Sequence, residues 1–204
     1  MKRFIISLIV LANVSLQLFA QDFMPVREAF TRSYSFELEG NYDDAVEELK
    51  KIYDGNSYEI NLRLGWLTYN SGSYLESADY YQKAIDLKPY ALEPRFGYIY
   101  PASATGNWSK VEEQYNRILA VDPMNTRANY WLGIIFYNRE QYDVALKYFE
   151  KIANLYPFDY DSTIMFAWTH FKMGNLREAK LLFQQALLIK PGDESATEGI
   201  NLIQ

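Results

Sequence analysis

Apolar and polar residues alternate along this chain at helical rather than strand spacing, and the pattern restarts at nearly regular intervals. The segments GNYDDAVEEL (40–49), GSYLESADYY (72–81), GNWSKVEEQY (106–115), EQYDVALKYF (140–149) and GNLREAKLLF (174–183) begin 32, 34, 34 and 34 residues apart. Apart from the one that starts at Glu140, each opens on Gly. An aromatic residue or Leu follows two positions on, and a small or β-branched residue stands five positions after the start. This predicts a turn followed by an amphipathic helix. The last four units close on LKP, VDP, LYP and IKP. There Pro89, Pro123, Pro157 and Pro191 stop a helix, because proline lacks an amide donor and its ring clashes with the preceding turn. The repeated element is a pair of helices.

A 34-residue helix-turn-helix unit with this pattern resembles the tetratricopeptide repeat. The resemblance covers nearly the whole chain beyond its first 20 residues. Its units fall at 26–57, 58–91, 92–125, 126–159 and 160–193, with ESATEGINLIQ (194–204) as a capping helix that places Ala196, Ile200 and Ile203 on one face. The large-small pairs Leu64-Gly65, Leu132-Gly133 and Phe166-Ala167 lie on first helices, and Tyr81 with Ala84, Phe149 with Ile152, and Phe183 with Ala186 on second helices. Small residues let helices approach closely and large ones fill the gaps. The implied fold is all-α, a right-handed superhelical solenoid of about five units plus the cap. Two units depart from the pattern. The first has Arg32-Ser33 in place of Leu-Gly, which an end unit tolerates. The third carries Pro101 in the middle of its first helix, predicting a kink or break at a cost of about 3 kcal/mol, either a tolerated irregularity or a hinge.

The resemblance also implies where a partner would bind. In the family, the second, fifth, ninth and twelfth places of each unit face a concave groove. Here the fifth place holds Phe30, Leu62, Phe96, Tyr130 and Ile164; the ninth Tyr34, Trp66, Tyr100, Ile134 and Trp168; the twelfth Glu37, Tyr69, Ser103, Tyr137 and Phe171. Tyr at the fifth and twelfth places is common in the family, but the ninth is often a small polar residue such as Asn, and here four of five are Tyr or Trp. Trp and Tyr are frequent binding anchors, and a contiguous apolar patch usually marks an interaction surface. The competing reading is that neighbouring first helices bury this row among themselves. The greasy stretch YWLGIIFYN (130–138) divides accordingly: Leu132, Gly133 and Phe136 to internal packing, Tyr130, Ile134 and Tyr137 to the groove. Arg27, Arg63 and Arg127 lie nearby, but without the ninth-place Asn the groove lacks the clamp that grips an acidic peptide tail.

Composition narrows the function. The N-terminus MKRFIISLIVLANVSLQLFAQD, with Lys2 and Arg3 before an apolar run from Phe4 to Val14, resembles a secretory signal peptide (1–20) with cleavage expected after Ala20; an uncleaved anchor is the alternative. Export to the periplasm or envelope of a Gram-negative bacterium is the resulting expectation. With no cysteine, the chain has no lipid-anchoring Cys, disulfide or thiolate metal site. Beyond residue 20 it carries 18 basic and 26 acidic side chains, and no clustered Lys or Arg, which argues against nucleic acid. Asp43-Asp44 and Glu47-Glu48, beside Lys50 and Lys51, read as a solvated face with a Glu47–Lys51 pair. The single histidine, His170, falls at a packing place, and no hydrolase, phosphate-loop or metalloprotease motif occurs. No catalysis, cofactor or metal is therefore expected. The expectation is an exported, non-catalytic scaffold holding an apolar segment of another envelope protein. A glycan-binding module using the same aromatic groove, helped by Asn70 and Asn138, and a homo-oligomerisation scaffold are the alternatives.

Overall fold

The computed structural model describes residues 23–203 and contains, among them, eleven helices and no strand. The expected signal peptide and its cleavage point lie outside the described residues. Helix α1 covers 23–38; α2 is Tyr42–Lys50, α3 Tyr58–Asn70, α4 Tyr74–Leu87, α5 Glu93–Ala104 and α6 Trp108–Val121. There follow α7 Thr126–Asn138, α8 Tyr142–Leu155, α9 Tyr160–Lys172, α10 Leu176–Ile189 and α11 Glu194–Asn201. They fall into two compact units, one ending at Gly106 and one starting at Asn107. Among the described residues no helix is long and apolar enough to cross a membrane.

The repeating glycines serve the turn inside each helix pair. Gly40, Gly72, Gly106 and Gly174 adopt φ between 71° and 87°, the left-handed conformation that ends a helix and that glycine enters without steric cost. Glu140 occupies the same place with φ 60°, so the odd residue of the sequence pattern adopts the same turn under strain. At the start of first helices the chain uses polar caps. The side chains of Ser57, Asn125, Asp159 and Asp193 accept the amides of Ile60, Ala128, Ser162 and Ala196, satisfying donors that have no partner in the helix. Asp193 is also held by the Tyr160 hydroxyl and Lys190, and with these contacts its carboxyl pKa falls to about 2. The loops between pairs are pinned in turn. The buried Asn61 donates to the carbonyls of Gly55 and Ser57, and Asn129 to those of Pro123 and Asn125.

What joins the helices is a ring set against a helix that has no side chain at the point of contact. A Cβ added to Gly65 of α3 would stand 2.9 Å from the Tyr81 ring of α4, and one added to Gly97 of α5 would overlap the same ring. Tyr81 thus binds its own first helix to the next. In the second unit, a Cβ on Gly133 of α7 would lie 2.7 Å from Phe149 of α8, and one on Gly199 of α11 would overlap Phe183 of α10. All three rings are buried. Two apolar clusters complete the packing, one built on Ala29, Leu49, Leu64 and Leu67, the other on Ala167, Ala179, Ala186 and Ala196 with the Phe183 ring among them.

Two expectations need amending, and the packing place expected for His170 is borne out. Pro101 does not break its helix: α5 continues through it to Ala104. The proline stands near the helix end, so it forfeits only its own bond to Gly97, and the Thr105 amide still reaches the Pro101 carbonyl at 3.1 Å. The acidic stretch on α2 is not wholly solvated. Glu48 is buried and held by Arg32 at 2.7 Å and Lys51 at 2.5 Å, while Glu47 lies 3.9 Å from Lys50 and not against Lys51. His170 is half-buried, its ring edge-on to Phe166 at 4.7 Å, and burial lowers its pKa.

Gly97→Ala is expected to destabilise the protein by about 1–3 kcal/mol in urea unfolding, because the added methyl meets the Tyr81 ring in a packed site. An unchanged midpoint would show that the ring contact does not govern stability.

Candidate functional site

In the first unit the ninth-place rings reach the surface. Tyr34 on α1 is 51% exposed, Trp66 on α3 37% and Tyr100 on α5 37%. Trp66 and Tyr100 belong to one run of ring contacts, and Tyr34 lies beside it against the Arg63 guanidinium. Trp66 meets Tyr100 edge-on at 6.3 Å, the twelfth-place Tyr69 lies 5.4 Å from Tyr100, and Tyr74 at the start of α4 lies 5.7 Å from Tyr69. Phe30, Leu62 and Phe96 at the fifth place are half-buried, and Phe30 packs on the core of its unit.

A single carboxylate organises the polar part of this surface. Glu37, at the twelfth place of α1, lies 2.5 Å from Arg63 Nη2 and accepts the Trp66 indole N–H at 2.5 Å. The Arg63 guanidinium is buried and lies 3.8 Å from the centre of the Tyr34 ring, so charge pairing and cation–π attraction act on it together. Burial pushes the Glu37 carboxyl up, but Arg63 and Trp66 outweigh it, and the net pKa is below that of an ordinary glutamate. The Arg63 cation on this surface is thus matched by its own anion. What the surface offers a partner is ring faces and phenol hydroxyls.

The second unit treats the same places differently. Ile164 is 8% exposed and belongs to the core beside Ala167 and Phe183, so it cannot face a partner. Trp168 is half-buried, edge-on to Phe171 at 5.5 Å and Phe183 at 4.9 Å, and its indole N–H donates to Ser195 of the capping helix at 2.8 Å. Here the capping helix supplies the partner, and the tryptophan ties the cap down. Ile134 is half-buried. Tyr137 is too, edge-on to Tyr142 at 5.3 Å. Tyr130 lies 6.1 Å from Phe149 and 5.6 Å from Trp131.

Tyr130 also lines a cleft of about 350 Å³ between the start of α7, the end of α8 and the start of α9, together with Thr126, Arg127, Trp131, Ile152, Tyr156, Asp159 and Asp161. Burial, then the charges of Asp161 and Asp159, raise the Tyr130 pKa. Trp131 and Tyr156 were missed by sequence reasoning, since they stand off the places that the family pattern assigns to the groove. The signal available for them was their size at positions where other units hold smaller or polar residues.

Residues 35–91, 102–160 and 161–193 match family models described as tetratricopeptide repeat. The chain is similar to the human protein O-mannosyl-transferase TMTC1, 29% identical over 153 residues, which are 72% of this chain and 17% of that protein. It is also similar to the TPR repeat-containing protein YpiA of Bacillus subtilis (strain 168), 26% identical over 160 residues, 76% of this chain and 37% of the relative. The chain thus spans well under half the length of these two relatives. Among solved structures, a tetratricopeptide repeat protein from Parabacteroides merdae ATCC 43184 superposes with a TM-score of 0.74 at 21% identity, covering 88% of this chain and 72% of that one. MamA from Desulfovibrio magneticus RS-1 superposes with a TM-score of 0.69 at 16% identity, covering 84% and 98%. At these identities the likeness is one of fold.

Glu37→Gln is expected to lower stability at pH 7 by about 1–3 kcal/mol, since it leaves the buried Arg63 without its counter-charge. The folded carboxyl has a depressed pKa, so its contribution is complete above the unfolded value and fades as pH falls through the folded one. Urea unfolding of the two proteins should therefore converge in acid. A difference that stays constant down to strongly acid pH would rule the ion pair out as its source.

Proposed function

We propose that this chain, which belongs to the tetratricopeptide repeat family, is a non-catalytic scaffold that holds an extended apolar segment of another protein against the Tyr34–Trp66–Tyr100 surface. The observation that carries the reading is the exposure of three large rings at one repeat place on successive first helices, Trp66 and Tyr100 in contact with each other and with Tyr69, and Tyr34 against the Arg63 guanidinium. Stacked on the core, such rings would be buried; left in water, they cost free energy that a partner recovers. The central Arg63 is matched by Glu37, which disfavours an acidic tail as ligand and favours an uncharged segment whose backbone carbonyls meet the tyrosine hydroxyls. The setting we propose is the periplasm or cell envelope, on the strength of Lys2, Arg3 and the apolar run that follows them.

The test is a photoreactive residue at position 100 in the native host, followed by mapping of the captured segment. The segment, made as a peptide, is expected to bind the purified chain and to lose about 30-fold in affinity with Trp66→Ala, the size of a binding hot spot. Capture of a second copy of this chain alone would replace the scaffold reading with self-association. A captured peptide whose affinity ignores Trp66→Ala would remove the surface from the account.

A further inference from the structure

Two departures from the repeat converge on the cleft of the second unit. At the sixth place of successive units stand Arg63, Gly97, Trp131 and Met165, with Gly199 at the matching place of the cap. Both glycines are needed there to admit a ring from the preceding helix. At this place only the fourth unit has a tryptophan, and 44% of it is exposed. Just before the closing proline the other units carry Lys88, Asp122 and Lys190, where the fourth carries Tyr156, 57% exposed. These two residues, far apart in the unit, line the same cleft with Tyr130. A polar place has become aromatic, and a place held by Arg63, Gly97 and Met165 in other units has become Trp, both in the same unit and both at the same opening.

We propose that this cleft binds one uncharged sugar ring, a hexopyranose presented by an oligosaccharide. Three features select that chemistry. The aromatic walls offer flat apolar faces on which the C–H face of a pyranose can lie. The polar groups are of both signs, Arg127 with Asp159 and Asp161, so a ligand bearing a single formal charge meets a like charge. A ring of hydroxyls, each both donor and acceptor, can lie beside groups of both signs. The volume, about 350 Å³, is at the small end of the range for small-molecule sites, about 300–1,000 Å³, and suits a single ring with its substituents. Asp159 is held in place by its own cap, accepting the Ser162 amide at 2.9 Å and the Ser162 hydroxyl at 2.6 Å, so part of the polar rim is fixed before any ligand arrives.

The proposal is independent of the Tyr34–Trp66–Tyr100 surface, and its test separates the two. The full chain is titrated with maltotriose, cellotriose and triacetylchitotriose by calorimetry and tryptophan fluorescence. At least one sugar is expected to bind saturably, to weaken by about tenfold or more in both Trp131→Ala and Tyr156→Ala, and to bind Trp66→Ala unchanged. Both altered side chains are well exposed, and thermal melts confirm that the variants fold. The proposal is overturned if the folded chain binds none of the three up to about 10 mM. It is equally overturned if binding survives Trp131→Ala, or if Trp66→Ala abolishes it. Displacement of the sugar by a pentalysine peptide would assign the cleft to basic side chains instead.

Discussion

The ring of one helix lying on a bare stretch of its neighbour is the contact on which the rest of this protein depends. Tyr81 needs Gly65 and Gly97, Phe149 needs Gly133, and Phe183 needs Gly199. Because each ring is buried and its partner has no side chain, the helices come close enough for dispersion and apolar burial to act over the whole contact. With no cysteine to cross-link the chain, this packing carries the fold. It also determines what is left over. Rings that hold helices together sit on second helices and point at first helices. Other positions on the first helices are free of that duty, and in the first unit these carry Tyr34, Trp66 and Tyr100.

Most of the fold was legible in the sequence because its cause is local. A glycine at spacings of 32 or 34 residues, replaced once by Glu140, marks a left-handed turn, a proline marks a helix end, and a large-small pair marks a close approach. Glu140 shows that the turn is a demand of the fold, since a residue that disfavours positive φ adopts it there. Pro101 shows the opposite limit: its cost depends on how near it lies to the helix end, and α5 runs on past it to Ala104.

The candidate site was less legible, because exposure depends on what packs beside a residue and not on its place in the repeat. Tyr34 and Trp168 hold the same place, yet Tyr34 covers Arg63 and stays open to water while Trp168 is closed over by the capping helix through Ser195. Ile164 shares a column with Phe30 but faces the core. The Glu37 carboxylate that holds Arg63 and Trp66 comes from a different helix, and its role there is a matter of tertiary contact. Trp131 and Tyr156 stood outside the family's groove places and only their cleft brings them together.

The central claim is that second-helix rings hold the fold and the ninth-place rings of the first unit do not. Urea unfolding of Tyr81→Ala beside the triple variant Tyr34→Ala, Trp66→Ala, Tyr100→Ala tests it directly. Loss of the buried Tyr81 ring is expected to cost about 3–5 kcal/mol, and the three exposed rings together less than about 2 kcal/mol. A triple variant as unstable as Tyr81→Ala would mean that the aromatic surface is internal packing and not a place for a partner.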